Sequence, residues 1–508
     1  LKKLLLFSFF IALILGAGMA VISPGLFWNG WLACGLLLWA SVFGLLYAWR
    51  WAGGGRMLFW LVCLAFVLRL GGGIVFSLAL PVFGNNEPVQ KAGYLFFDAY
   101  RRDQEAWKLA QSTAPVWQVF VEEFSTDQYG GLLVISALLY RYLSPDAQRP
   151  YLILTLSALI FALGIPFFWH TLRQRFKPGV ALAAAWLLVL YPDAILYSAS
   201  QMREPYILGL VCITLWAVSA WQENRRTALI VGGAAWLGMA VISSRAAVAV
   251  AALLALWFWL EYFVGRGSSR QQLVGWIGLG LAGVGVVAAS WGWLAGAASW
   301  DLLVTRAGSG MMARSLEGLS PKLQVPFIVG YGLTQPLLPA AIFEDALPFW
   351  KALVTWRALG WYLLVPFLLY GVFAVWTINP VQDRRLMICL MLASAGWIVL
   401  ASARAGGDLW DSPRYRMFYF PFTAILVGYL FIWARQQRDP WLLRWLLVEV
   451  IFLGFFFQWY IARYVSAGRK LPVTRNLLYI AILSALVLGG GWIWDWFKKK
   501  KAKITTKS

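Results

Sequence analysis

The sequence predicts an all-α polytopic membrane protein of about 14 transmembrane helices, on three observations. The chain is 61% hydrophobic and only 13% charged, against about 45–50% apolar and about 25% charged in an average globular chain. Apolar runs of about 20 residues recur from end to end, each long enough to cross the ~30 Å hydrocarbon layer as a helix. The period-two alternation of a transmembrane β-barrel is absent, and helices satisfy their own backbone in lipid.

The elements follow in order. LKKLLLFSFFIALILGAGMAVIS at the start has the lysines and apolar run of a signal sequence. The run exceeds the roughly 7–15 residues of a usual signal core and further spans follow, so an uncleaved anchor is expected at 4–22. The other expected spans are 28–48, 57–82, 151–171, 180–199, 206–221, 228–243, 247–264, 273–296, 354–377, 386–403, 417–434, 445–462 and 477–497. These spans are nearly charge-free, with Arg69 a partial exception.

The net charge is +21, from 43 basic and 22 acidic residues. It reads as basic cytoplasmic loops that set orientation, and nucleic acid is not expected as a partner. Starting inside, Arg50 and Arg56, the RQRFK at 173–177, the ENRR at 223–226, Arg266 and Arg270, the DRR at 383–385, the RQQR at 435–438 and the KKKK-containing tail all fall on the cytoplasmic side. The stretch 463–475, with Arg463, Arg469, Lys470 and Arg475, falls outside and fits poorly. Cys34, Cys63, Cys212 and Cys389 lie in apolar spans without metal-like spacing, as small core residues do. The single histidine, His170, ends a span beside a basic loop, which weighs against histidine-dependent hydrolysis.

Three long segments then face outward: 83–150, 297–353 and 404–416. The first holds eight of the 22 acids, Glu87, Asp98, Asp103, Glu105, Glu122, Glu123, Asp127 and Asp146. The positive-inside rule acts on Lys and Arg and does not require such an acidic cluster. In FFDAYRRDQEAWKLAQS, Phe97, Tyr100, Trp107 and Ala110 recur at helical spacing, which predicts a surface helix with its rings in the interface and its charges solvated. Asp98 with Arg102 and Arg101 with Glu105 are then i,i+4 pairs worth a few tenths of a kcal/mol. The apolar stretch 131–140 is too short to span and reads as an interfacial or re-entrant helix. Tyr129 and two glycines precede it, and Asp127 either caps this helix or belongs to a site. The Gly- and Pro-containing GYGLTQPLLPAAIFEDALPFW within 297–353 predicts irregular or re-entrant backbone at the wall of a groove.

This order of features resembles the GT-C superfamily of membrane glycosyltransferases, in the branch of protein O-mannosyltransferases, aminoarabinose transferases and Rgt-like enzymes. The resemblance rests on LRL at 68–70, on Asp103-Gln-Glu-Ala-Trp107-Lys-Leu109-Ala110, and on Arg149 opening the next span. It continues through the basic turn and Ala/Leu-rich helix after RQRFKP, Ser243-Ser-Arg245, and DSPRYRMFYFPF at 411–422. It covers roughly 57–434 as a transmembrane catalytic core with outer segments 83–150 and 297–353. Residues 1–56 add two helices before that core, and 435–508 add the last helices and the basic tail. The chain departs from the family at the second acid of the motif, here Gln104, and at the Thr-Asp-Gln-Tyr-Gly-Gly turn.

The resemblance implies an inverting transferase in the cytoplasmic membrane. It would take a sugar from a polyprenyl phosphate or diphosphate and pass it, on the outer face, to a lipid, polysaccharide or protein acceptor. Such chemistry needs a carboxylate base and cations that hold the lipid phosphate, for which the arginine fork is suited. Asp103 is expected as the base, with Asp98 as its rival or helper. Arg245, Arg414 and Arg416 are expected on the phosphate, with Arg149 and Arg203 behind them, and Asp127, Tyr129, Glu204, Tyr100 and Trp107 in the pocket. Five of these have a plainer reading: headgroup snorkelling for Arg245, snorkelling or pairing with Asp408 and Asp411 for Arg414 and Arg416, and a span-end pair for Arg203 and Glu204. No metal or other cofactor is implied; the alternative is a divalent ion on Asp98, Asp103 and Asp127. The rival functions are a lipid-linked sugar flippase or transporter, which would favour ions within the spans and internal repeats, and a polysaccharide polymerase or ligase.

Overall fold

A computed structural model describes residues 2–120, 130–264, most of 268–288, and 316–505. All regular structure among them is helical, and twelve helices are long and apolar enough to cross a membrane. A bent pair, Pro178–Leu190 and Pro192–Ser198, makes a thirteenth if counted as one span. The chain is a multi-pass membrane protein. Half of the remaining expected span, 273–296, lies outside the described residues.

The chain divides into two compact units, Leu1–Ala295 with Arg414–Ile425, and Gly296–Pro413 with Leu426–Ser508. In the first, α1 (Lys2–Val21) and α2 (Phe27–Trp51) form a hairpin, and α2 and α3 (Arg56–Phe83) both pack on α6 (Pro150–Arg175). Between α3 and α6, besides the short turns Pro88–Lys91 and Val116–Phe120, the described residues form two longer helices that are still too short to be spans, α4 (Phe97–Gln111) and α5 (Gly131–Leu143). After α6 come the bent pair α7 (Pro178–Leu190) and α8 (Pro192–Ser198), then α9 (Glu204–Ser219), α10 (Arg225–Ile242) and α11 (Ser244–Tyr262).

The break between α7 and α8 bends the pair by 48°. Pro192 donates no backbone hydrogen bond, so the last carbonyls of α7 need other partners. Arg69 supplies them: it is fully buried, and its guanidinium donates to the carbonyls of Val189 at 3.2 Å and Leu188 at 3.5 Å. A cation at a helix C-terminus also meets the negative end of the helix dipole. The Phe161 ring lies 3.4 Å below the guanidinium and completes its surroundings.

The α4 helix differs from its expected orientation. Its buried residues are Ala99, Arg102, Asp103, Ala106 and Ala110, while Phe97 is exposed and Tyr100 and Trp107 are half-buried. Small alanines let it lie close on α5, whose Leu133, Ala137 and Tyr140 share one core with Ala106 and Ala110. Two ions are therefore turned inward rather than into solvent. Of the two expected i,i+4 pairs, Arg101 with Glu105 forms at 3.6 Å. Asp98 and Arg102 go to other partners.

In the second unit, α12 (Pro321–Thr334), α13 (Leu338–Phe343), α14 (Pro348–Ala374), α15 (Val381–Ala405), α16 (Trp441–Tyr460) and α17 (Val473–Thr505) are the main helices. The stretch from Gly330 to Thr334, expected as irregular or re-entrant, is the end of helix α12. Gly332 is tolerated there because a side chain has no room: a Cβ would stand 2.6 Å from the Gly406 Cα and 2.9 Å from Ser402. The long helices also bury more ions than the sequence reading allowed, since Arg357 in α14 and Glu449 in α16 join Arg69 as buried residues. Arg444 of α16 and Asp495 of α17 form a two-pronged pair at 2.6 and 2.9 Å that ties these helices together.

Candidate functional site

One end of the first unit gathers the α1–α2 turn, the C-terminal end of α3, the starts of α6, α9 and α11, and the segment 414–425. The loop 199–204 and helix α4 lie among them and bring two different polar assemblies together.

The first assembly is ionic. Arg414 donates from Nε to Glu204 Oε1 at 2.7 Å and from Nη1 to Asp98 Oδ2 at 3.2 Å. Glu204 opens α9 and is fully buried; the Arg414 side chain is one-tenth exposed, whereas that of Asp98 is 56% exposed. The interior carboxylate thus fixes the guanidinium, and the guanidinium presents its outer edge to a solvated carboxylate. Arg203 stands beside them, 3.9 Å from Glu204, with its guanidinium over the Phe418 ring. Arg416 is buried in the same segment as Arg414. Sequence separations of 210 and 316 residues explain why no local pattern pairs these groups.

The second assembly is centred on Asp103, which is 2% exposed. It accepts hydrogen bonds from Tyr94 at 2.5 Å, Tyr140 at 2.6 Å and Gln148 at 2.7 Å. Burial raises its pKa above the usual carboxylate range, against the opposing pull of these three donors and of Arg102. The same burial, with the adjacent carboxylate, pushes Tyr94 and Tyr140 well above the ordinary phenol range, so both remain donors. Arg102 donates to the backbone carbonyl of Gln201 at 2.5 Å. Tyr100 and Trp107 set ring edges against Tyr94 and Tyr140 and thereby support this assembly.

A cavity of about 280 Å³ lies against it, lined by Tyr94, Gln104, Gln148, Gln201, Ser77 and Tyr151 among others. Tyr94 and Gln148 thus touch Asp103 on one side and the cavity on the other.

Two further expected arginines, Arg149 and Arg245, stand at the starts of α6 and α11. Arg149 is fully buried and used up in structure: it pairs with both oxygens of Asp146 at 2.7 and 2.8 Å, and donates to Ser144 Oγ and to the Leu26 carbonyl. This pulls the Asp146 carboxyl down to about 2. Arg245 is exposed in the first turn of α11, which Ser243 caps. Asp127 and Tyr129 lie outside the described residues. Among the described residues, no three His, Cys, Asp or Glu side chains gather as a metal site. Tyr94, Arg102, Tyr140, Gln148 and Gln201 escaped the sequence reading. The one available signal was that a buried Asp103 must find donors, and Tyr140 is the polar ring in the apolar run that follows.

No protein-family model, curated protein or solved structure matches this chain.

Proposed function

We propose that the protein is an inverting glycosyltransferase of the cytoplasmic membrane. It moves a sugar from a polyprenyl-phosphate or diphosphate donor to an acceptor hydroxyl on the extracytoplasmic side. The observation that carries this reading is a solvated Asp98 carboxylate held at the edge of a buried Arg414–Glu204 pair, with Arg203 adjacent. A base and cations are what the reaction needs at one place.

Asp98 takes the role of base in preference to Asp103. A base must reach the acceptor proton, and Asp103 has both oxygens occupied by three donors while buried. In the reaction the acceptor oxygen attacks the anomeric carbon as Asp98 removes its proton. The bond from that carbon to the phosphate oxygen breaks, and the oxygen leaves with the electron pair. Arg414, Arg203 and Arg416 stabilise the charge that builds on the leaving phosphate. Glu204 keeps Arg414 in place when its outer edge turns from Asp98 to the phosphate. Single displacement inverts the anomeric centre. Arg149, tied to Asp146, positions the fold.

The test is sugar transfer from a short-chain polyprenyl-phosphate donor by purified protein. Asp98→Asn should lower the rate about 10²–10⁴-fold, the range of a general base, with the melting temperature unchanged. Full activity in Asp98→Asn would remove the mechanism, and loss in Asp103→Asn alone would return the role to Asp103.

A transport reading draws on Glu449, a buried carboxylate within a long apolar helix. Movement of a lipid-linked sugar across proteoliposomes that is abolished by Glu449→Gln, with no transfer product, would favour it.

A further inference from the structure

The cavity beside Asp103 carries chemistry of its own. Among the described residues no Lys, Arg, Asp or Glu lines it; its polar side chains are the amides of Gln104, Gln148 and Gln201 and the hydroxyls of Ser77, Tyr94, Tyr151 and Ser200. Hydrogen-bond direction through these groups is set from behind. An amide nitrogen only donates and its carbonyl only accepts, so Gln148 turns its NH2 to Asp103 at 2.7 Å and its carbonyl outward. That carbonyl accepts from Gln104 Nε2 at 3.4 Å, which leaves Gln104 Oε1 as an acceptor at the wall. On the other side Tyr94 spends its proton on Asp103, so towards Gln201, which lines the same wall, its oxygen can only accept; an amide that faces it with NH2 presents Oε1 as a second acceptor.

Gln201 is also held in an unusual backbone. Its φ is +54°, a left-handed conformation that costs a residue with a side chain about 1 kcal/mol or more. Arg102 anchors its carbonyl at 2.5 Å. Three residues further on, Glu204 grips Arg414. Three residues of chain reach at most about 10 Å, so the backbone that carries Gln201 at the neutral wall and the backbone that carries Glu204 of the ionic pair lie within that distance of each other.

We infer that this cavity is the subsite for an uncharged, polyhydroxylated sugar ring, with Gln104 and Gln201 as specificity-determining acceptors of its hydroxyls. The inference rests on the transferase reading for the sugar's link to a lipid phosphate. The neutrality of the lining selects against sugars bearing an ammonium or carboxylate group, because no described side chain of the wall carries a charge to pair with either. Asp103 is a positioning residue here, since it acts through Tyr94 and Gln148.

The experiment measures binding of farnesyl phosphate, farnesyl phosphoglucose and farnesyl phosphoglucosamine to the full chain in detergent. In the unaltered protein the glucose-bearing lipid should bind about tenfold tighter than farnesyl phosphate, as one or two neutral hydrogen bonds provide. Gln104→Leu and Gln201→Leu should each erase most of that difference and leave farnesyl phosphate affinity as it was. Gln104→Glu, nearly isosteric, should reverse the preference towards the glucosamine lipid, which a merely structural role would not produce. A glucose gain that survives Gln104→Leu, Gln201→Leu and Gln104→Glu would overturn the subsite while the transferase reading stands. If no lipid binds and Asp98→Asn has no effect on transfer, the transferase reading itself falls.

Discussion

Arg149 decides between a ligand and a strut, and its partner Asp146 gives the clean perturbation. Asp146→Asn removes the charge that faces a fully buried guanidinium across two short hydrogen bonds, 2.7 and 2.8 Å. Stranding one member of a buried pair costs about 3–5 kcal/mol. Asp146 keeps one-fifth of its side chain exposed, and Arg149 retains Ser144 Oγ at 2.6 Å and the Leu26 carbonyl at 3.0 Å. The low end, about 3 kcal/mol, is therefore expected. The loss should loosen the α1–α2 turn specifically. Gly25 sits there at φ +85°, and a Cβ would lie 2.7 Å from the Arg149 guanidinium, so the turn is moulded to that side chain. The assay is thermal unfolding in detergent, where roughly a 5 °C fall is expected, joined to farnesyl phosphate binding, which should not change. Acid titration adds a signature. The carboxyl is drawn from its ordinary 3.8 to about 2, so its stabilisation is present above 3.8 and disappears as pH falls through about 2. Asp146→Asn should lack that acid-dependent loss. An unchanged melting temperature with a tenfold weaker lipid would refute the strut and restore Arg149 to the phosphate.

Other expectations are equally direct. Arg414→Ala strands the fully buried Glu204 and should cost about 3–5 kcal/mol, read as poor recovery of folded protein. Arg414→Lys keeps the charge but cannot reach Glu204 and Asp98 as one planar fork. It should fold and lose transfer about 10²–10³-fold; full activity would exclude Arg414 from the site. Gly332→Ala places a methyl against the Gly406 backbone and should cost about 1–3 kcal/mol. A melting temperature equal to that of the unaltered protein would show that α12 and α15 need no such close approach.

The helical class and nearly all of the long spans were legible in the chain because each is a local property. A run of about 20 apolar residues is long enough to cross the bilayer whatever surrounds it. The acid-rich segment between α3 and α6 was also legible, since charge stands out in a chain with only 13% of it. The facing of α4 was not. Helical spacing placed its rings inward and its ions outward. The fold turned Arg102 and Asp103 inward, because Tyr94, Tyr140, Gln148 and the Gln201 carbonyl waited there to satisfy them. Composition and periodicity therefore determine that this protein threads a membrane as helices and where its unusual charge is concentrated. Only tertiary structure decides which charges are spent on holding the fold and which face solvent. The cost of burying an ion depends on partners brought from up to 316 residues away, and one-dimensional spacing contains no term for them.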